Sequence, residues 1–120
     1  MYDIAIIGGG AAGFIAAVSA KMTDAARTVV ILERLDKVGK KLLATGNGRC
    51  NLTHDPIRED CYHGGISLFR EVYGRFPAEE TRRFFERLGV WTFADEAGRV
   101  YPVSCQASAV LDALRFRAEA

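Results

Sequence analysis

An apolar run that breaks into a glycine-rich turn and restarts as a helix dominates the opening of this chain. Asp3-Ile4-Ala5-Ile6-Ile7 reads as a short strand, and Gly8-Gly9-Gly10-Ala11-Ala12-Gly13 follows without a gap. Residues 14–22 read as helix, and Thr28-Val29-Val30-Ile31-Leu32-Glu33 as a second strand. The pattern is G-x-G-x-x-G in strand–turn–helix–strand order, with an acidic residue twenty positions after the last glycine. That order specifies a parallel β-α-β unit of the dinucleotide-binding kind, and it restricts the fold far more than the glycine pattern by itself.

Each position has a mechanical reason. Gly8 lets the chain leave the strand in a tight turn, Gly10 lets backbone approach a pyrophosphate, and Gly13 lets helix and strand close on one another. The helix N-terminus aims unpaired N–H groups and the positive end of its dipole at phosphate. Glu33 is placed to accept hydrogen bonds from ribose hydroxyls, and its charge repels a 2′-phosphate, which disfavours NADP at this position. Ala16, Ala17 and Ala20 keep one helix face small enough for close packing on the sheet.

Composition narrows the class. With 120 residues, 49% hydrophobic and 26% charged, the chain fits a globular α/β protein of at most one domain. A net charge of +1 gives no electrostatic case for nucleic acid or a membrane surface, and no apolar stretch is long enough to span a bilayer. Cys50, Cys61 and Cys105 are odd in number and lack C-x-x-C spacing, which argues against a disulfide framework or a zinc site and points to a reducing cytoplasm. His54 and His63 stand alone and carry no assigned chemistry.

A second glycine-bearing segment follows a polar connection at residues 34–39. Lys40-Lys41-Leu42-Leu43 leads into Ala44-Thr45-Gly46-Asn47-Gly48-Arg49-Cys50-Asn51, where two glycines and two asparagines mark irregular, left-handed backbone. Such a loop can turn several N–H groups toward an anion, with Arg49 adding a fixed cation, although an ordinary turn has the same composition. Cys50 beside Arg49 is either a redox thiol or a small residue packed near a ligand. No second cysteine follows at short range, so the packing role is the expected one.

Residues 52–65 read as loop. Residues 66–76 have apolar positions at helical spacing, and a further helix starts at Pro77, carries Glu79 and Glu80 in its first turn and stops at Gly89. Its inner stripe is Thr81, Phe84, Phe85 and Leu88. Val90-Trp91-Thr92-Phe93 and Val100-Tyr101 flank Asp95-Glu96-Ala97-Gly98 as a β-hairpin whose three aromatics are expected to fill a core. Ser104 is placed to cap a last helix over 107–120, with Val110, Leu111 and Leu114 inward. Only two parallel strands are legible, fewer than a dinucleotide sheet needs.

At this point the residues resemble a known family. Gly8 to Gly13, Glu33-Arg34, residues 41–53 (Lys41-Leu42-Leu43-Ala44-Thr45-Gly46-Asn47-Gly48-Arg49-Cys50-Asn51-Leu52-Thr53) and residues 98–104 are similar to the bacterial HI0933-like flavoproteins. These are also described as NAD(P)/FAD-dependent or aminoacetone-oxidase-like oxidoreductases. The likeness covers nearly the whole chain, and the T-G-N-G-R-C-N-L-T block is its most specific part. It implies the N-terminal part of a Rossmann-like FAD-binding domain with FAD as cofactor, NAD(P)H as a candidate reductant and a small organic substrate. Carried across, Gly8, Gly10, Ala11, Ala12 and Gly13 would cradle the FAD pyrophosphate, Glu33 would hold the adenosine ribose, and Arg34 would lie along the adenine. Lys41 and the loop of Thr45, Gly46, Asn47, Gly48, Arg49, Cys50 and Asn51 would run beside the pyrophosphate, ribityl chain and flavin. Asn47, Tyr101 and His54 depart from the commoner glycine, phenylalanine and asparagine, and none of these departures opposes cofactor binding.

The division expected is 1–33 as β-α-β unit, 34–55 as flavin-contacting segment and 56–120 as helices and hairpin. Relatives run to several hundred residues, so an N-terminal piece of a longer flavoenzyme, partnered by the rest of its own chain, is the expectation. A non-catalytic nucleotide-binding remnant and an NAD-dependent dehydrogenase fragment are the alternatives, the second disfavoured because an NAD domain has no need of residues 45–51. No residue qualifies as a catalytic acid or base.

Overall fold

A computed structural model describes residues 1–119. Strand β1 (Ile4–Ile7) passes through the glycine turn into helix α1 (Ala11–Thr23), and β2 (Val29–Leu32) returns parallel to β1. The register pairs Ile4 with Val29 and Ile6 with Ile31. Alternation therefore sends Ile4, Ile6 and Ile31 toward the helices and leaves Ala5, Ile7 and Leu32 on the outer face, where Ile7 is 81% exposed. This is the expected α/β unit. Its helix begins three residues earlier than the pattern indicated, because Gly13 belongs to the first turn of α1 rather than to the loop before it.

Short helix α2 (Lys40–Ala44) follows, then a 3-10 turn (Thr45–Gly48) and the two-residue strand β3 (Thr53–His54). Helices α3 (Ser67–Arg75) and α4 (Ala78–Arg87) lead to β4 (Thr92–Ala94) and β5 (Arg99–Pro102), and α5 (Ala107–Glu119) ends the described residues. The predicted continuation of that helix to Ala120 lies outside them. The second sheet is antiparallel in the order β3-β5-β4. β3 lies inside residues 52–65, which the sequence presented as loop: Thr53 pairs with Val100 and His54 with Arg99. Two residues carry no alternation that a sequence pattern can reveal, so only the partner strand defines them.

The core sits between helices. Phe14 and Val18 of α1 meet Val110, Leu111 and Leu114 of α5, with Phe84 and Phe85 of α4, Leu42 and Cys50 closing the cluster. The expected inner faces of α4 and α5 are thus the observed ones. The hairpin differs from expectation. Tyr101 is 3% exposed, but Trp91 and Phe93 are 68% and 39% exposed, so one aromatic of the three fills a core. Trp91 lies just before β4, and Phe93 is on an outer strand of a three-stranded sheet, so both have few neighbours. Ser104 is also displaced from its expected role: its Oγ accepts at 3.3 Å from the amide of Gln106, the residue just before α5 starts. No helix among the described residues is long and apolar enough to cross a membrane.

Leu114 is fully buried at the centre of the α1–α5 contact. Leu114→Ala is expected to destabilise the chain by about 2–5 kcal/mol, read as a lower denaturation midpoint with little change in slope.

Candidate functional site

The site starts where β1 turns into α1. Gly8 has φ +101°, and its amide donates to the Leu32 carbonyl at 2.8 Å, so the turn stays tied to β2. A Cβ on Gly13 would stand 1.9 Å from the Gly8 carbonyl oxygen, a distance no side chain can occupy. Helix and turn therefore lie in direct backbone contact. At Gly10, which lines the main groove, a Cβ would meet nothing within 4 Å. No side chain caps α1 and no acidic residue sits in its first turn, which leaves the amides of Ala11, Ala12 and Gly13 and the positive dipole end available to an anion.

Glu33 follows β2 and holds two backbone amides. Oε2 accepts from Gly9 at 2.7 Å and Oε1 from Leu35 at 2.8 Å. The Leu35 amide, and after it the Gly9 amide, keep its carboxyl below the ordinary glutamate range. The carboxylate thus braces the glycine turn while retaining acceptor capacity for hydroxyl groups, since each oxygen can accept more than one bond. Arg34 is exposed and borders, with Glu33 and Ile7, a shallow depression of about 470 Å³.

Ile7 also lines the main groove, of about 690 Å³. Gly8, Gly10, Ala11, Ala12 and Gly13 border this groove together with Lys41, Thr45, Cys50 and Asn51, so the two glycine-bearing segments share one cavity. Lys41 faces it, whereas its neighbour Lys40 pairs with Asp36 at 2.7 Å. The loop tip is placed otherwise. Gly46, Asn47 and Gly48 take left-handed backbone with φ of 56°, 55° and 81°, and they do not line the groove. Arg49 is also outside it, with its guanidinium 4.6 Å from the centre of the Tyr101 ring. The loop's cation is therefore occupied by a cation–π contact rather than aimed into the cavity.

Cys50 has φ +61°, which the sequence did not indicate. Its amide donates to the Thr45 carbonyl at 3.0 Å and its side chain is buried, and burial raises the thiol pKa above the ordinary cysteine value. A protonated thiol suits packing and opposes a redox role. The Asn51 amide, turned to satisfy its surroundings, donates to the carbonyls of Thr53 at 2.8 Å and Val100 at 3.3 Å, which ties the loop to β5. Sequence reasoning assigned Phe84 and Phe85 to the core alone. Both also line the groove, together with Phe76 and Thr81. Helical spacing marks an inward face but cannot say that part of it borders a cavity.

Comparison with known proteins now bears on this geometry. The HI0933-like protein Rossmann domain matches residues 2–120. The chain belongs to this family. It is 48% identical over 117 residues to the 3-dehydro-bile acid delta(4,6)-reductase of Clostridium scindens, covering 97% of this chain and 28% of that protein. It is also 39% identical over 61 residues to the ribosomal RNA dihydrouridine synthase of Escherichia coli, covering 51% of this chain and 15% of that protein. The chain thus spans less than a third of the length of either relative.

Two outcomes follow from the site geometry. Gly13→Ala is expected to lower stability by about 1–3 kcal/mol through forced separation of α1 from the turn, measured by chemical denaturation. Iodoacetamide labelling followed by mass spectrometry should modify exposed Cys61 first and Cys50 last, and Cys50 should gain reactivity only above the ordinary cysteine pKa of 9.0.

Proposed function

We propose that this chain forms the FAD-binding part of a flavin-dependent oxidoreductase that reduces a carbon–carbon double bond in a small organic substrate, with NAD(P)H as reductant. The observation that carries the cofactor assignment is the single groove bordered by both glycine-bearing segments. A dinucleotide is longer than one helix N-terminus can cover, and a second backbone wall beside the first suits its length. Both relatives are named for reductive chemistry, one as a delta(4,6)-reductase of a 3-dehydro-bile acid and the other as a dihydrouridine synthase of ribosomal RNA, which supports this reading. Flavin supplies the hydride chemistry when bound; the protein supplies binding, orientation and exclusion of water.

Within this reading the α1 amides and Lys41 hold the pyrophosphate, Glu33 accepts from the adenosine ribose, and Arg34 lies beside the adenine. Thr45, Cys50 and Asn51 border the ribityl and flavin half, while Gly46, Asn47, Gly48 and Arg49 shape that wall from behind. Residues 1–120 act as one unit, with 1–33 supplying the β-α-β cradle, 34–55 the second wall, and 56–120 the helices and hairpin that support both.

Titration of the chain with FAD, followed by flavin fluorescence and visible absorbance, tests the assignment. Saturable binding at micromolar FAD with much weaker binding of NAD is expected, and a chain that stays colourless after reconstitution would refute it. Lys41→Ala should weaken FAD about tenfold, as loss of one charge-assisted contact. Glu33 yields a pH signature. Its folded pKa lies below the ordinary 4.5, so its bracing of the turn is fully present above that value and is lost as pH falls through the folded pKa. The stability difference between the parent chain and Glu33→Gln should be constant at neutral pH and shrink on acidification.

A further inference from the structure

A second groove, of about 450 Å³, opens between α3 and the start of α4 and shares Phe76 and Thr81 with the main groove. Its position along the cofactor follows from shared residues. The Glu33 depression and the main groove have Ile7 in common, beside the glycine turn, and within the flavin reading this is the ribose end. Phe76 and Thr81 line the main groove together with Phe84 and Phe85, and within the flavin reading this apolar surface serves the flavin half. The second groove therefore adjoins the main one at its apolar side, which within the flavin reading is the side of the reactive ring.

Its lining is chemically uniform. Tyr62, Phe69 and Tyr73 form a ladder of stacked rings with centroids 4.0 and 5.2 Å apart. Leu68 and Val72 add aliphatic surface, and Val72 is 56% exposed although it lies on a helix with a pronounced apolar side. No charged side chain lines the groove; its side-chain polar atoms are the hydroxyls of Thr53, Tyr62, Tyr73 and Thr81. A charged group placed there would lose hydration and gain no ion partner, whereas a flat neutral ring gains stacking and apolar contact, and a hydroxyl can serve a carbonyl. The volume falls in the range of small-molecule sites.

We infer that this groove is the substrate subsite and that it takes an uncharged, ring-bearing small molecule laid along the Tyr62–Phe69–Tyr73 ladder. The inference rests on the flavin reading for its orientation and on the lining alone for its ligand class.

Prodan, a neutral naphthalene fluorophore, serves as probe on the FAD-loaded chain, with Val72→Glu as the disrupting variant. Phe116→Glu is the control, because Phe116 is exposed on α5 and lines neither groove. Expected are saturable, blue-shifted prodan binding with a concurrent change in the flavin absorption band, and affinity weakened about tenfold by Val72→Glu but not by Phe116→Glu. FAD affinity should be the same in all three proteins. Equal prodan binding by Val72→Glu and the parent overturns the inference. So does displacement of FAD by prodan, or loss of FAD affinity in Val72→Glu, since either would make the groove part of the cofactor site. A chain that binds no FAD refutes the flavin reading, and the same comparison on flavin-free protein then still decides whether the groove takes a neutral ring.

Discussion

Backbone meets backbone where α1 leaves the first strand, and the rest of the molecule is arranged around that contact. With 1.9 Å between an imagined Gly13 Cβ and the Gly8 carbonyl, α1 could not lie so near if any side chain stood at that position. The approach aims the α1 amides past Gly10 into open space and fixes the direction of the helix. Its other side then receives α5, through Phe14 and Val18 against Val110 and Leu114. A two-stranded sheet with a solvent-facing apolar side is marginal by itself, so α1 and its helical partners, more than strand pairing, hold the β-α-β unit in place.

The second wall depends on the hairpin. Gly46 packs against Tyr101, where a Cβ would come 3.1 Å from Cε1, and Arg49 covers the same ring. Asn51 reaches the Val100 carbonyl, and the Leu52 amide donates to that carbonyl at 2.8 Å. A loop with several left-handed residues would otherwise sample many conformations; here a buried tyrosine and a strand edge select one. Residues about fifty positions apart in sequence thus set the shape of one side of the groove.

This division explains what was legible in the sequence. The β-α-β unit, α4 and α5 follow from local periodicity and glycine chemistry, and each was readable in residues 3–33, 77–89 and 107–119. The left-handed backbone at Gly46, Asn47 and Gly48 was readable for the same reason. What depends on distant partners was hidden. β3 exists only because β5 lies beside it, and Trp91 and Phe93 stay exposed because little covers them. The positions of the predicted site residues divide along the same line. Those near α1 and α2 border the groove through local geometry, while Arg49 was diverted by Tyr101, a residue in another element.

That diversion bears on how the groove attracts an anion. With Arg49 stacked on Tyr101, positive potential in the cavity comes from the α1 dipole and amides and from Lys41, all beside the glycine turn. Glu33 lies at the same turn, where its Oε2 accepts from the Gly9 amide, and Phe84 and Phe85 give the groove an aromatic lining. The region therefore combines a carboxylate, a cationic centre and an apolar lining. Within the proposed reading, a ligand that carries hydroxyls, a diphosphate and a flat ring would find a counterpart for each, with the diphosphate kept to the amides and Lys41 by repulsion from Glu33. A chain with a net charge of only +1 achieves this by location rather than by amount.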